Sequence, residues 1–411
     1  MPWWGKAGGY GFKKVLLLVA LLCCPTAMAT GRVHAPSNAP FQATARAESF
    51  YTRTGLQTRL RPFELTRCQS VQHADTAPLS KNDNAPLMSP NLTAAFPDLA
   101  LWLAGPADLR QGICRAIHPG LKRAPLPIPN EFGTGKTGHG NVNASSSPTL
   151  APASSVPAHN TIPVVVLSHN NPTYLHAMVR FLRCYGVVNI TVYDTASSLP
   201  LHLELLGALG RVATVQQMRT NDGPRSFFSA SNLARLPRFF ALTDADLRPH
   251  PDLAPNFLAY LAALTQVFPG RKAGFALDLT MRDQFLQGSY ASGLPISGWE
   301  EKFWRTRLPT PHGGPPDTLY DADIDTTFAV YDKHAYPPGA AGKIAWRYQG
   351  VRVGGTFAAT HVPWLCYATA KYMSPTEWNF AQARQNGWST TTKLALKNTD
   401  KLGDVCAGAS R

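Results

Sequence analysis

Apolar residues along this chain sort into strand-length runs and helix-spaced stripes from Thr161 onward, and into little of either before it. Ile162-Pro163-Val164-Val165-Val166-Leu167 is a continuous apolar run, the pattern of a strand buried on both faces, and Ser168-His169-Asn170-Asn171 is the polar loop after it. Pro172 suits the first turn of a helix. That helix is predicted over Thr173 to Tyr185, with Leu175, Met178, Val179 and Leu182 on one face and Gly186 as its stop. Ile190 to Tyr193 reads as a second strand ending in Asp194, followed by a helix over Leu199 to Leu209 and a third strand over Arg211 to Val215. Strand, helix, strand, helix, strand is the order of a doubly wound, mostly parallel α/β sheet.

Asn221-Asp222-Gly223-Pro224-Arg225 then reads as a loop, followed by a polar helix and by Phe239-Phe240-Ala241-Leu242, a fourth strand that runs into Thr243-Asp244-Ala245-Asp246. A helix over Leu253 to Phe268 and a strand over Ala273 to Leu279, with Asp278 at its end, continue the alternation. Trp299 to Arg307 has the spacing of a short amphipathic helix. Ile324 to Tyr331 and Ile344 to Val353 read as late strands, and Thr376 to Trp388 as a surface helix. Two carboxylates one residue apart at the carboxyl end of a buried strand are costly to leave dry and unpaired. They lie where open α/β sheets bind ligands, and a divalent cation would satisfy both. A strand running into a solvated acidic turn has the same pattern.

Composition changes the picture mainly before Thr161. The 35 prolines are too clustered for one compact domain. Residues 30–85 and 120–160 lack a sustained period and read as extended linker or stem, so 30–160 is assigned to a stem, largely disordered, with a short helix near 96–117 that is either a small element docked on the domain that follows or a marginal helix of the stem. Residues 1–29 have a basic edge at Lys13-Lys14, an apolar run from Val15 to Cys24 and the small-x-small pattern Ala27-Met28-Ala29, the layout of a secretory signal peptide. An uncleaved signal anchor is the alternative, although the run is short of the ~20 residues a spanning helix needs. Either outcome places the rest in the secretory pathway, as Golgi lumen or membrane, or outside the cell.

Cys68, Cys114, Cys184, Cys366 and Cys406 follow that segment without CxxC spacing, which argues against structural zinc; in an oxidising lumen two disulfides and a free thiol fit, with Cys68–Cys114 one pairing considered. Asn91, Asn143 and Asn189 head sequons for glycosylation. Of the net charge of +14, the part before residue 161 carries 15 Lys and Arg against 7 Asp and Glu, so the excess belongs largely to the stem. No basic helix or aromatic-basic interleave supports nucleic-acid binding.

The ordered part resembles the nucleotide-sugar-dependent glycosyltransferases of the GT-A fold, in particular the family-2-type group. The matching residues are Val165 to Asn171, Asn189 to Ser197, Asn221 to Pro224, Thr243-Asp244-Ala245-Asp246, Trp299 to Trp304, Ile324 to Tyr331 and His361-Val362-Pro363-Trp364. The resemblance is collinear over about residues 161–370 and implies a catalytic domain over 161–395 with a tail at 396–411. It implies Mn²⁺ or Mg²⁺ held by Asp246, with Asp244 on ribose or metal and His361 as a further ligand. It also implies a nucleotide pocket formed by Ser168, His169, Asn170, Asp194, Asn221, Gly223 and Arg225, with Asp194 accepting from a uracil imide. An inverting transfer to a glycan, glycoprotein or glycolipid hydroxyl needs a carboxylate base. Glu300 is the favoured candidate over Glu301 of the same helix, with Asp323 and Asp325 as rivals; the usual Glu-Asp motif is absent, which leaves base and stereochemistry open. Two other readings stand beside this one. A sugar-nucleotide nucleotidyltransferase would need a glycine-rich basic first loop, which Ser168 to Pro172 is not. A catalytically silent carbohydrate-binding protein would keep the fold without turnover.

Overall fold

The computed structural model describes residues 88–104, 107–129, 156–286, 293–311, 319–335, 348–365 and 374–382. The expected signal segment, residues 30–87 and 130–155 of the expected stem, Cys68, Cys366, Cys406, Asn143 and the expected tail lie outside the described residues. Among the described residues, no helix is long and apolar enough to cross a membrane.

The strands are β1 (Val164–Ser168), β2 (Ile190–Asp194), β3 (Thr214–Gln217), β4 (Phe239–Asp244), β5 (Leu247–Arg248), β6 (Lys272–Phe275), β7 (Arg307–Leu308), β8 (Leu319–Asp321), β9 (Ala329–Asp332), β10 (Gly350–Val353) and β11 (Thr360–His361). The helices are α1 (Pro90–Ala95), α2 (Leu99–Ala104), α3 (Ala107–Ile117), α4 (Pro172–Cys184), α5 (Pro200–Leu209), α6 (Ala230–Arg235), α7 (Phe257–Val267), α8 (Ile296–Glu301) and α9 (Pro375–Gln382). Nine strands form one sheet in the order β3-β2-β1-β4-β9-β6-β10-β8-β7. All run the same way except β9 and β8, giving a mixed α/β architecture around a mostly parallel sheet. The register pairs Ser168 with Asp194 and Leu167 with Asp244, so the polar first loop and the acids ending β2 and β4 share one edge.

Alternation along the strands divides the core in two. Val164, Val166, Val192, Ala241, Phe275 and Val353 belong to the larger cluster, with Leu175, Leu182, Leu205 and Leu261 of the covering helices. Val165, Leu167, Tyr193, Phe240, Leu242 and Tyr331 belong to a smaller one, capped by Phe227, Phe228, Leu233 and Ile324. The same alternation puts Asp244 of β4, Lys272 and Gly274 of β6, and Gly350 and Arg352 of β10 on the second face.

Several elements depart from the sequence expectation. Residues 322–328 are a loop across the second face, and only Ala329–Asp332 pairs as a strand, antiparallel to β4 and β6. Buried Thr326 and Thr327 break the strand alternation there, and Thr326 spends its hydroxyl on Asp244. The helix predicted over Trp299 to Arg307 is α8 followed by a short 3-10 turn over Lys302–Trp304. The third strand starts later, at Thr214, and β7 and β8 have only two and three residues.

Residues 88–129, assigned by composition to the stem, pack on the sheet domain. Leu92, Phe96, Leu99 and Trp102 are buried in the larger core. Asp98 pairs with Arg180 of α4, and Cys114 forms a disulfide with Cys184 at the end of α4, correcting the Cys68–Cys114 pairing. Gly120 is required by a close approach: a Cβ there would lie 2.1 Å from the Leu253 carbonyl oxygen. The proline-rich stretch continues as an extended strap, tied by Leu126 N–H donating to Asn256 Oδ1 (2.8 Å) and Asn256 Nδ2 donating to the Leu126 carbonyl (2.7 Å). Of the two readings of the 96–117 element, docked helix or marginal stem helix, the fold has it docked, and four apolar anchors with one disulfide suffice to hold so short a segment.

Candidate active site

The first loop is held by its own side chains. Asn170 takes a left-handed backbone (φ 51°), and its Oδ1 accepts from the amides of Ser198 (2.8 Å) and Leu199 (2.9 Å), capping the start of α5. His169 Nδ1 lies 2.7 Å from the Thr195 carbonyl and therefore carries the proton. Its Nε2 is then the acceptor, 3.1 Å from Asn170 Nδ2 and 3.3 Å from Asn221 Nδ2. Burial holds the ring below the ordinary histidine range, so it is neutral near pH 7.

Asp194 is closed. Its Oδ1 lies 3.1 Å from His202 Nε2 and accepts from Ser197 Oγ, while Oδ2 accepts from the Ser197 amide at 3.0 Å. Burial opposes ionisation, but the hydrogen bonds from His202 and Ser197 win and hold the carboxyl below its ordinary range. Ser168 Oγ is 3.1 Å from the same His202 nitrogen. This trio is no nucleophile relay: a relay needs acid and serine on opposite ring nitrogens, and here one nitrogen serves both. All three residues are also buried. The carboxylate expected to read a base instead fixes the turn after β2.

The acids after β4 are open. Asp244 Oδ2 accepts from Thr326 Oγ1 at 2.5 Å, and the Asp244 amide donates to the Thr326 carbonyl at 3.0 Å. Asp244 Oδ1, Asp246 Oδ1 and His361 Nδ1 are buried without a hydrogen-bond partner. The two-stranded pairing of β5 with β11 sets His361 opposite Leu247, and this brings His361 Nε2 to 3.6 Å from Asp246 Oδ2. The His361 ring packs against Trp364, with centroids 4.7 Å apart. Burial, and then the charge of Asp246, raise Asp244 well above the ordinary carboxylate range; burial lowers His361. Unpartnered carboxylate oxygens beside a neutral imidazole are the donor set a hard or borderline divalent cation accepts. Among the described residues, no three His, Cys, Asp or Glu side chains form a ready-made metal cage, so a cation here would take oxygens from water or from a ligand as well.

The remaining candidates are spread out. Asn221 is exposed, and Gly223 has the positive φ (77°) that favours glycine. Arg225 is exposed, with its guanidinium 5.4 Å over the Tyr348 ring. Glu300 is buried and ion-paired with Arg352; burial pushes its carboxyl up to about 7 against the pull of that arginine. Arg352 lies on β10, three strand spacings or about 14 Å along the sheet from β4. Glu301 is exposed and pairs with Arg282 at 3.2 Å. Asp325 is exposed, adjoins Thr326, and contributes to raising Asp244. A polar groove of about 740 Å³ lined by Arg271, Lys302, Phe303, Asp323 and Gln349 opens where β6 and β10 begin, at the edge opposite the two acids.

Sequence reasoning passed over Lys272, Thr326 and Arg352. Lys272 is fully buried, and its ammonium is pushed down to about 7, chiefly by burial. A lysine opening a strand is ordinarily an edge residue, so only the loop folded over it reveals the burial. Thr326 carries a signal, a hydroxyl beside two acids in Asp323-Ile324-Asp325-Thr326, but the apolar run from Ile324 to Tyr331 masks it by reading as strand.

No protein-family model matches the sequence, and no curated protein sequence does. Among solved structures, the chain is similar to a mannosyltransferase from Pyrobaculum calidifontis in complex with GDP-Man and Mn²⁺, covering 78% of this chain and 88% of that one with 12% identity. The TM-score is 0.31, too loose a superposition to carry an argument.

Proposed function

We propose that this chain is a glycosyltransferase of GT-A type that moves a sugar from a nucleoside-diphosphate donor to a hydroxyl acceptor. The observation that carries the reading is the open pair Asp244 and Asp246 at the carboxyl edge of the sheet, with His361 delivered beside them by β11 and acceptor atoms left without protein donors. Asp246 and His361 would hold Mn²⁺ or Mg²⁺, with Asp244 contributing charge or gripping the ribose. Such a cation, bridging to diphosphate oxygens, supplies Lewis-acid stabilisation of the leaving group. The first loop, stiffened by Asn170 and His169, and the exposed Asn221 and Arg225 would receive the nucleotide, with Asp194 bracing that loop from beneath.

For the acceptor side we assign the base to Asp325, with inversion as the outcome. It stands next to the residue that orients Asp244, and its carboxylate is exposed to an incoming hydroxyl. Glu300 and Glu301 are tied to Arg352 and Arg282. The Cys114–Cys184 disulfide supports an oxidising compartment, in keeping with the signal segment, and a secretory-pathway or extracellular location is proposed on that basis.

Calorimetry with UDP and GDP in the presence and absence of Mn²⁺ tests the reading, followed by a screen of UDP- and GDP-sugars for metal-dependent hydrolysis. Metal-dependent nucleotide binding with turnover is expected. Binding of neither nucleotide with Mn²⁺ present would sink it, and binding without any donor turnover would favour a silent carbohydrate-binding protein.

A further inference from the structure

The second face of the sheet carries two buried cations, neither used in the chemistry above. Lys272 is 0% exposed and Arg352 is 3% exposed. Each reaches a backbone carbonyl of the same loop: Lys272 Nζ donates to the Asp325 carbonyl at 2.9 Å, and Arg352 Nε donates to the Asp323 carbonyl at 2.8 Å. Lys272 Nζ also donates to Tyr331 Oη at 2.8 Å. Beside each cation on this face stands a glycine. A Cβ on Gly274 would lie 2.2 Å from the Phe328 carbonyl oxygen, and one on Gly350 would lie 2.6 Å from Ile324 Cγ1. So β6 presents Lys272 and Gly274, and β10 presents Gly350 and Arg352: the glycines admit the loop flat against the sheet and the cations grip it. Between the gripped carbonyls, Ile324 is buried in the second core, and its amide donates to the Tyr348 carbonyl at 2.8 Å. Thr326, the residue after the gripped Asp325 carbonyl, makes both of the contacts that orient Asp244.

We propose that Lys272 and Arg352 are positioning residues, a pair of buried cations that clamp the Asp323–Thr326 loop so that Thr326 fixes the carboxylate of Asp244. Cations aimed at carbonyls leave the Asp323 and Asp325 carboxylates free to face solvent, where pairing them directly would have buried the acids. The clamp holds the loop in place before any ligand arrives, so Asp244 keeps its second oxygen turned away from Thr326 and available. The consequence for cation binding rests on the glycosyltransferase reading; the clamp itself does not.

Amide hydrogen exchange on the ligand-free full chain and titration with Mn²⁺ alone separate the two. Lys272→Met keeps the length of the side chain and removes its donors. Exchange of the Asp244 and Ile324 amides is expected to quicken at least about tenfold, and Mn²⁺ affinity to fall about 10–100-fold, the range for removing a group that orients a ligand. Lys272→Arg is expected to restore both. Thr326→Val leaves the clamp but removes the hydroxyl on Asp244: Mn²⁺ affinity falls and exchange stays as in the parent. Unchanged exchange in Lys272→Met overturns the clamp. Faster exchange with parental Mn²⁺ affinity overturns its link to Asp244. A parent chain that binds no Mn²⁺ overturns the functional reading, while the exchange measurement still decides the clamp. Should Lys272→Met not fold, Arg352→Lys, which loses the guanidinium's bond to the Asp323 carbonyl while keeping a cation beside Glu300, is measured in its place, and unchanged exchange there has the same force.

Discussion

Asp194 ends β2 and Asp246 follows β4, the two strands that flank β1 in one sheet; they lie at the same edge and look alike in sequence, an acid after an apolar run. In the fold they are opposites. Both oxygens of Asp194 have partners in Ser197 and His202, and it is 1% exposed. Asp246 and its neighbour Asp244 each keep a buried oxygen with no donor, and the closest positive candidate is a neutral imidazole at 3.6 Å. A closed carboxylate stabilises the fold; an open one costs stability and is retained for what it binds. The difference lies in the partners, not in the acids.

The largest expected effect tests the open site. Asp246→Ala should lower donor hydrolysis about a thousandfold, worth about 4 kcal/mol of transition-state stabilisation, while the thermal midpoint stays within about two degrees of the parent. Steady-state rates and a melting curve on the same sample check it. A variant that unfolds instead would place Asp246 with the structural acids and erase the contrast. The converse change, Asp194→Ala, should cost about 3 kcal/mol of stability, because it strands His202 and the Ser197 amide in a dry site. Urea denaturation measures it, and a stability equal to the parent's would mean that Asp194 is no brace.

How much of this could be read from the chain follows from the same contrast. The strands β1, β2 and β4 were legible because each is a run of apolar residues long enough to be buried on both faces, and the acids at their ends were legible as residues. Their states were not. His202, which closes Asp194, sits inside the leucine-rich helix α5 and looks like one polar interruption of a stripe. Lys272 and Arg352 look like ordinary charges flanking short strands, since nothing local marks Gly274 and Gly350 as the places where a loop lies down. His361 was found through its neighbours Pro363 and Trp364 and the family resemblance; its approach to Asp246 depends on two-residue strands that no periodicity reveals. The packed segment 88–129 was hidden for a related reason, its anchors being Leu92, Phe96, Leu99, Trp102 and a cysteine whose partner lies in α4.

Cation binding sharpens the comparison without chemistry. If the open oxygens receive a divalent ion, Mn²⁺ at a hundred times its dissociation constant should stabilise the parent by about 2.7 kcal/mol, and Asp246→Ala should lose that gain. Asp194→Asn, already less stable, should still show it in full. Thermal melts at fixed protein concentration with and without Mn²⁺ decide the matter. Equal stabilisation of parent and Asp246→Ala would move the ion elsewhere on the molecule.

Glu377 is the intermediate case and gives the smallest effect. It is 1% exposed, accepts from Thr173 Oγ1 at 2.5 Å and from the Thr173 and Ser374 amides, both at 3.4 Å, and thereby fastens α9 to the start of α4. Like Asp194 it is hydrogen-bonded, but burial dominates and pushes its carboxyl up to about 7 from an ordinary 4.5. The folded chain therefore holds this proton more tightly than the unfolded chain. The resulting stability is fully present below the unfolded value and is lost as pH rises through about 7. Glu377→Gln has no proton to lose. It should fall below the parent near pH 4.5, because the amide nitrogen now faces the Thr173 N–H, and exceed it by about 1 kcal/mol at pH 8, where the linkage outweighs that penalty. Urea midpoints at the two pH values measure the gap. A gap that stays constant with pH would show that the hydrogen bonds from Thr173 and Ser374 outweigh burial, and would move Glu377 into the closed class with Asp194.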